Sequence, residues 1–255
     1  MRRFYCPELT ALRKFPVSAD EAAPAMIELS REESHHARRV LRFSAGDEVE
    51  LFDGRGLVAT GVLDDSPARR PVGIMVRQVA VHPPPTPTLE LAVAWPKGGR
   101  GDDMVSQLSQ LGVDTLYPLV THHGVAAPSD GRLEKYRRVC IESAKQCDRT
   151  HLMAVEAAVT LAYMFAQQHD ARLIADSNTP DANTGSSALT FTKTTDQLRN
   201  AQRVLVLIGP EGGWTDQERH EAIDGGCVAW SLGPNVLRIE TAAAAAAAVV
   251  RHAPY

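Results

Sequence analysis

The chain has 255 residues, 44% hydrophobic and 23% charged, with a formal net charge of −4. That balance excludes a disordered or fibrous chain and a globally basic nucleic-acid binder, and the length suffices for one large domain or two small ones. No apolar run approaches the ~20 residues of a membrane span, no apolar signal core follows the basic start at Arg2-Arg3, and four scattered cysteines without a CxxC pair point to a reducing cytoplasm rather than to disulfides or zinc.

The first eighty or so residues read as a small β-barrel with one helix. Ser30-Arg31-Glu32-Glu33 is a capping box, and Ala37, Val40 and Leu41 supply an apolar stripe behind it. Residues 48–54 alternate as a strand and end in the Asp53-Gly54 turn signal; 57–63 are the expected hairpin partner and 74–79 a third strand. His82-Pro83-Pro84-Pro85-Thr86-Pro87-Thr88 then holds four prolines in seven residues. Proline fixes φ and lacks an N–H, so this stretch is neither helix nor central strand. It divides the chain into a domain at 1–82 and another at 83–255, with 83–88 as a stiff linker.

Beyond the linker, strand patterns at 89–95, 115–120, 172–175, 204–208 and 227–232 alternate with helix patterns at 102–112, 130–147, 215–224 and 241–251. Such alternation implies an α/β domain with a parallel sheet. Ligands of these sheets sit beyond the carboxyl ends of the strands, which directs attention to the loops after Ile208 and Leu232. Residues 177–187, rich in Ser, Asn, Thr, Asp and Gly, read as a surface loop.

Two basic stripes stand out: Arg31, Arg38, Arg39 and Arg42 with His35 and His36, and Arg132, Lys135, Arg137, Arg138, Lys145 and Arg149. They suit a phosphate backbone, although charge alone favours solvated helix faces with pairs such as Glu134–Arg138. Neither His35-His36 nor His122-His123 has a carboxylate or cysteine at ligand spacing, so no metal site is expected. Cys140 and Cys147, seven apart, read as core residues on one helix face. Trp95, Trp214 and Trp230 border loops, where packing is their commoner fate than stacking on a base.

The most informative stretch is Val204-Leu205-Val206-Leu207-Ile208-Gly209-Pro210-Glu211-Gly212-Gly213-Trp214-Thr215. A buried strand runs into a glycine turn whose backbone admits a ligand closely, and Thr215 with Glu218 forms a capping box opening the next helix. The turn is neither a P-loop nor a GxGxxG dinucleotide turn. The second stretch runs from Trp230-Ser231-Leu232-Gly233-Pro234 through Asn235-Val236-Leu237-Arg238-Ile239-Glu240-Thr241 into seven alanines, with Thr241 a plausible N-cap. Arg238 and Glu240 lie between strand and helix, as a loop salt bridge or as charges aimed at a ligand.

These two stretches together resemble the RsmE family of SPOUT methyltransferases. The likeness extends to Arg2-Arg3-Phe4-Tyr5, to 35–42, to Leu51-Phe52-Asp53-Gly54, to Trp95-Pro96-Lys97-Gly98 and to Gln110-Leu111-Gly112-Val113. The resemblance implies a PUA-like RNA-binding barrel followed by a parallel-sheet domain with a deep trefoil knot. It implies a homodimer, S-adenosylmethionine as methyl donor, and N3 of one uridine in 16S ribosomal RNA, within the small subunit or its precursor, as target. It places cofactor contacts at Ile208, Gly209, Pro210, Gly213, Leu232, Gly233, Val236, Leu237, Arg238 and Thr241, and RNA contacts at Arg2, Arg3, Arg38, Arg39, Arg42, Lys97 and Arg149. The family's Glu and Lys before Leu-Gly-Val are replaced here by Gln110 and Leu108; its Glu-Gln-x-x-Arg segment reads Lys145-Gln146-Cys147-Asp148-Arg149; and His122-His123-Gly124 stands where an Arg is common. These departures touch RNA contacts or the target nucleotide more than the cofactor turns.

Methylating uracil N3 requires removing its proton and stabilising the anion spread over the flanking oxygens. Glu211 or Glu240 is the candidate base, and Arg238 the candidate anion stabiliser; Glu240 alternatively serves the helix macrodipole. Two rivals remain on sequence: a SPOUT paralogue with another RNA site, and a non-catalytic RNA-binding assembly factor that keeps the fold.

Overall fold

A computed structural model describes residues 2–14, 25–65, 71–125, 127–177, 198 and 200–252. All of the loop expected at 177–187 except Ser177 falls outside the described residues. The chain forms two compact units, Met1–Pro84 with Ile141–Leu152, and Pro85–Cys140 with Met153–Tyr255. The division at Pro84 lies inside the proline stretch. Residues 141–152 group with the first unit, although the sequence reading placed them in the second domain.

The first unit is built on a curled five-stranded sheet in the order β1(Arg2–Tyr5)-β3(Glu48–Phe52)-β4(Leu57–Leu63)-β5(Gly73–Val81)-β2(Met26–Glu28). The β3–β4 and β4–β5 hairpins follow the alternation in the sequence. The strands β1 and β2 did not show in it. Each is only three or four residues long, and β1 joins β3 in parallel. Phe4, Val49, Leu51, Leu57, Ala59 and Ile74 bury one face of the sheet. Full burial of such side chains contributes roughly 1.5–3 kcal/mol each for the larger ones.

Helix α1(Arg31–His35) starts as the sequence predicts, with Ser30 Oγ accepting from the Glu33 N–H at 3.1 Å. The reciprocal half of the expected box does not form, because the buried Glu33 carboxylate pairs with Lys145. The helix passes into a π turn over His36–Val40. That wider turn rotates Val40 out to 64% exposure while Ala37 stays buried, so the expected Ala37/Val40/Leu41 stripe is broken.

The second unit carries a six-stranded parallel sheet, in the order β11(Val228–Trp230)-β9(Ala171–Ala175)-β10(Arg203–Ile208)-β6(Thr88–Ala94)-β7(Thr115–Leu119)-β8(Ala154–Val155). Strands buried on both faces read as near-continuous apolar runs, as in Val204–Ile208, where every residue is buried. Among the described residues five further helices flank it: α2(Arg100–Gln110), α3(Asp130–Gln146), α4(Leu161–Ala166), α5(Asp216–Asp224) and α6(Ile239–His252). Helix α3 ends in the first unit's share of the chain. In α6, residues 239, 242, 243, 246, 247 and 250 form the buried stripe. Alanine at four of these lets the helix lie close against β6 and α2. Cys140 is buried, whereas Cys147, expected beside it in the core, is exposed just past the end of α3. Trp95, Trp214 and Trp230 are all buried.

Glu90 is the charged residue buried in the middle of this sheet, 3% exposed. Arg203 Nε donates to it at 2.6 Å, and His169 Nε2 lies 3.1 Å from its other oxygen. Burial pushes the Glu90 carboxyl up, but the bonds from His169 and Arg203 outweigh this and hold it below the usual value. A depressed carboxylate stabilises the fold fully above its unfolded value, about 4.3, and that contribution is lost as pH falls through the lower folded value. Glu90→Gln therefore lowers the melting temperature at pH 7, and the gap to the parent narrows below about pH 4. A gap independent of pH would show that the ion pair is not the source.

Candidate functional site

The carboxyl ends of three neighbouring strands meet in register: Ile208 of β10 and Trp230 of β11 both pair with Ala175 of β9. The chain leaves these ends in three turns, at 176–177, 209–215 and 231–238, and together they line one cleft. Its walls are Ala175, Asp176, Ser177, Ile208, Gly209, Pro210, Glu211, Gly213, Trp214, Leu232, Gly233, Asn235, Val236, Leu237, Ile239 and Ala242. Two turns separated by some twenty residues in sequence thus enclose a common space at the place a parallel sheet offers a ligand.

Each turn is pinned by local chemistry. Trp214 Nε1 donates to Ala175 O at 2.9 Å, tying the glycine turn to the end of β9. Asp176 accepts from Arg219 Nε at 2.7 Å. The capping box at the head of α5 forms in both directions: Glu218 N donates to Thr215 Oγ1 at 3.2 Å, and Glu218 Oε2 accepts from Thr215 N at 2.9 Å. The remaining Glu218 oxygen accepts from His122 N at 2.8 Å, which fastens the loop after β7 to the same point. Burial raises the Glu218 carboxyl, but these backbone bonds prevail and keep it below its ordinary value.

The glycines differ in what they do. Gly213 takes φ +74° and Gly233 φ +127°, and a Cβ at either would meet nothing within 4 Å. Both keep the backbone bare beside open space. At Gly209 the constraint is contact, since a Cβ there would lie 2.7 Å from the Trp214 ring. Among the described residues, the N–H groups of Leu232, Val236 and Leu237 make no backbone hydrogen bond. The cleft therefore presents amides without a backbone partner among the described residues, apolar walls from Ile208, Leu237, Ile239 and Ala242, and the carboxylates of Asp176 and Glu211. A flat heteroaromatic group with a polar, partly cationic tail fits this donor set.

Of the residues expected to touch a cofactor, Ile208, Gly209, Pro210, Gly213, Leu232, Gly233, Val236 and Leu237 line the cleft; Arg238 and Thr241 do not. Helix α6 begins at Ile239 and Ala242 N donates to Arg238 O at 2.8 Å. Arg238 thus occupies the cap position expected of Thr241, and Thr241 lies exposed in the first turn. The Arg238 side chain is exposed and has no salt bridge among the described residues.

Sequence reasoning missed Arg100. From the first position of α2, its Nη2 donates to Glu211 Oε1 at 2.5 Å, its Nη1 to Glu240 Oε1 at 3.3 Å and its Nε to Lys97 O at 3.1 Å. One guanidinium thus joins both carboxylates that the sequence singled out. The bond to Glu211 raises the Arg100 pKa, against some desolvation. Glu211, Pro210 and Ile239 also face a second, adjoining cleft lined by Trp95, Lys97, His123 and Val125.

Among the expected RNA-binding cations, Arg2, Arg39, Arg42 and Lys97 are exposed, and Arg38 and Arg149 are half-buried. Arg3 is different. Its side chain is 3% exposed and pairs with Glu50, and Nη1 donates to Ala144 O at 2.9 Å and Arg149 O at 3.1 Å. It is a structural cation. In the second basic stripe, Lys135 pairs with Asp102, Arg137 with Glu134 rather than Arg138 with Glu134, and Lys145 with Glu33 and Glu142.

A model of an RNA methyltransferase domain matches residues 82–251, and one of an RNA methyltransferase PUA domain matches residues 29–69. The ribosomal RNA small subunit methyltransferase E of Synechocystis sp. is 29% identical over 242 residues, covering 92% of this chain and 75% of its own. Two solved structures share the fold. A Neisseria gonorrhoeae ribosomal RNA small subunit methyltransferase E bound to S-adenosyl methionine superposes with TM-score 0.77 at 23% identity, over 97% of this chain and 95% of that one. A methyltransferase of Legionella pneumophila in complex with the same cofactor superposes with TM-score 0.75 at 24% identity, over 98% and 96%.

Proposed function

Because the chain belongs to the RNA methyltransferase family, we propose that it transfers a methyl group from S-adenosylmethionine to N3 of one uridine in 16S ribosomal RNA. The observation that carries this reading is the shared cleft of the 209–215 and 231–238 turns at the carboxyl ends of β9, β10 and β11. Ile208, Leu237 and Ala242 supply apolar walls for the adenine, and the amides of Leu232 and Leu237 supply donors for its edge. The bare backbone at Gly213 and Gly233 lets the methionine part approach, Gly209 keeps the turn tight against Trp214, and Pro210 and Val236 close the rim. When bound, the cofactor supplies an electrophilic methyl group on a sulfonium.

The acceptor must arrive as an anion, since protonated uracil N3 is a poor nucleophile. Glu211, which lines both clefts, or Glu240, which shares Arg100 with it, takes the N3 proton in this reading. Arg238 stands exposed beside the turn, where it meets the uracil oxygens rather than the cofactor. Arg238→Ala accordingly lowers the rate of methyl transfer about 100-fold, the usual scale for one lost anion-stabilising donor, with cofactor affinity within twofold of the parent by calorimetry. Equal loss of rate and affinity would show that Arg238 builds the pocket instead. The target base leaves its stack to enter, and Arg2, Arg38, Arg39, Arg42, Lys97 and Arg149 contribute backbone grip that weakens with salt.

The reading further includes a deep trefoil knot and a homodimer working in the cytoplasm, all three supported by the family resemblance. No described helix is long and apolar enough to cross a membrane. Primer extension on 16S ribosomal RNA tests the function, because a methyl at N3 blocks the pairing edge and stops the polymerase. Cells containing the protein give one strong stop at a uridine that disappears when the gene is deleted. An unchanged stop pattern would overturn the assignment.

A further inference from the structure

We propose that Glu211, Arg100 and Glu240 form a charge-matched clamp that discriminates the cationic methyl donor from its neutral demethylated product. The inference rests on the assignment of S-adenosylmethionine to the cleft and goes on to assign the residues that read its charge.

Three observations carry it. The two carboxylates and one guanidinium are bonded in a row, Glu211 Oε1 at 2.5 Å and Glu240 Oε1 at 3.3 Å from Arg100 nitrogens, so the set carries a formal charge of −1. Without the arginine, two carboxylates would sit together at −2, an arrangement that drives one of them to hold a proton. The clamp is also fixed in place. All three guanidinium nitrogens of Arg100 are engaged, the third by Lys97 O. It is partly screened from solvent as well: the Glu240 side chain is 18% exposed, and its Oε2 is buried without a partner. Finally, Glu211 of this set lines the cleft, whereas Arg238, the cation the sequence pointed to, is exposed and is not part of its lining. A site of charge −1 attracts a sulfonium and has no such attraction for the thioether left after transfer. Methyl transfer removes the ligand's positive charge, so the same clamp that favours the donor favours release of the product.

Arg100 lies near Lys97 and Gly98, in a stretch the sequence matched to the start of the family's catalytic domain, with Lys97 as an RNA contact. The partners of Arg100 are 111 and 140 residues away.

Titration calorimetry of the intact protein with S-adenosylmethionine and, separately, S-adenosylhomocysteine tests the proposal through the ratio of the two affinities. Glu211→Gln keeps the shape and removes the net charge. It is expected to lower the donor-to-product preference about fivefold, the scale of one partly solvated charge pair, with product affinity within twofold of the parent. Arg100→Gln leaves the carboxylates and is expected to hold or raise that preference. Affinities for both ligands falling in parallel in Glu211→Gln, or a preference lost alike in both variants, would assign the three residues to pocket geometry and overturn the inference while leaving the cofactor assignment intact. A parent protein that binds neither ligand would overturn the assignment of the cleft itself.

Discussion

Gly209→Ala is expected to weaken cofactor binding by about 100-fold and to destabilise the second unit by about 2–3 kcal/mol. The added Cβ would lie 2.7 Å from Cε2 and 2.8 Å from Nε1 of Trp214. The indole has no room to retreat. It is 5% exposed and packed with Leu205, Leu207, Ala222 and Cys227. Either the turn moves outward or the ring moves inward, and in both cases the Trp214 Nε1 bond to Ala175 O is lost. A half-buried carbonyl left unpaired costs about 1 kcal/mol, the low end of its range, and overpacking a full core adds about 1–2 kcal/mol. Because Gly209 and Trp214 both line the cleft, the disturbance reaches the ligand directly. Calorimetry and denaturant midpoints measure the two effects. Gly226→Ala is the control, since it lies outside the cleft lining and its Cβ meets open space, adding only the strain of φ +81°, about 1 kcal/mol. A Gly209→Ala protein that binds cofactor like the parent would remove the turn from the site.

Arg3→Met is expected to cost the first unit about 3 kcal/mol, whereas Arg2→Ala leaves stability within about 0.5 kcal/mol. The Arg3 guanidinium is buried among Glu50, the carbonyls of Ala144 and Arg149, and the Phe52 ring, whose centroid is 4.6 Å away. Removing the cation strands these acceptors. The Glu50 side chain is 25% exposed and regains some water, which holds the loss to the lower end of the range for breaking a buried pair. Urea midpoints of the two variants test this. If Arg3→Met instead left stability unchanged and weakened RNA binding, Arg3 would return to the RNA interface where the sequence put it.

What the sequence disclosed and what it withheld divide along physical lines. Local signals were legible. The Thr215–Glu218 spacing closes a two-way capping box, the continuous apolar run at 204–208 is a buried inner strand of the sheet, and Gly213 and Gly233 take the positive φ that glycine tolerates. The two glycine turns do share a cleft, as the motifs required. Features set by distant partners were not legible. Arg3 reads as a surface cation until its carbonyl partners, 141 and 146 residues on, are seen. Glu33 completes a capping box in sequence but is drawn away by Lys145. Thr241 is a good N-cap type, yet the buried stripe from Ile239 extends the helix back past it. The Arg100 clamp depends on three separate segments meeting, and no spacing rule reports that.

The central claim is that the two turns hold a methyl donor and deliver its methyl group to a uracil nitrogen. The most direct measurement incubates the purified protein with small ribosomal subunits lacking this modification and S-adenosylmethionine labelled on the methyl group, then digests the RNA to nucleosides. The account predicts label in N3-methyluridine alone, near one equivalent per 16S molecule, and none when Gly209→Ala replaces the parent. Label in any other nucleoside, or no transfer by a protein shown to bind the donor, would contradict it.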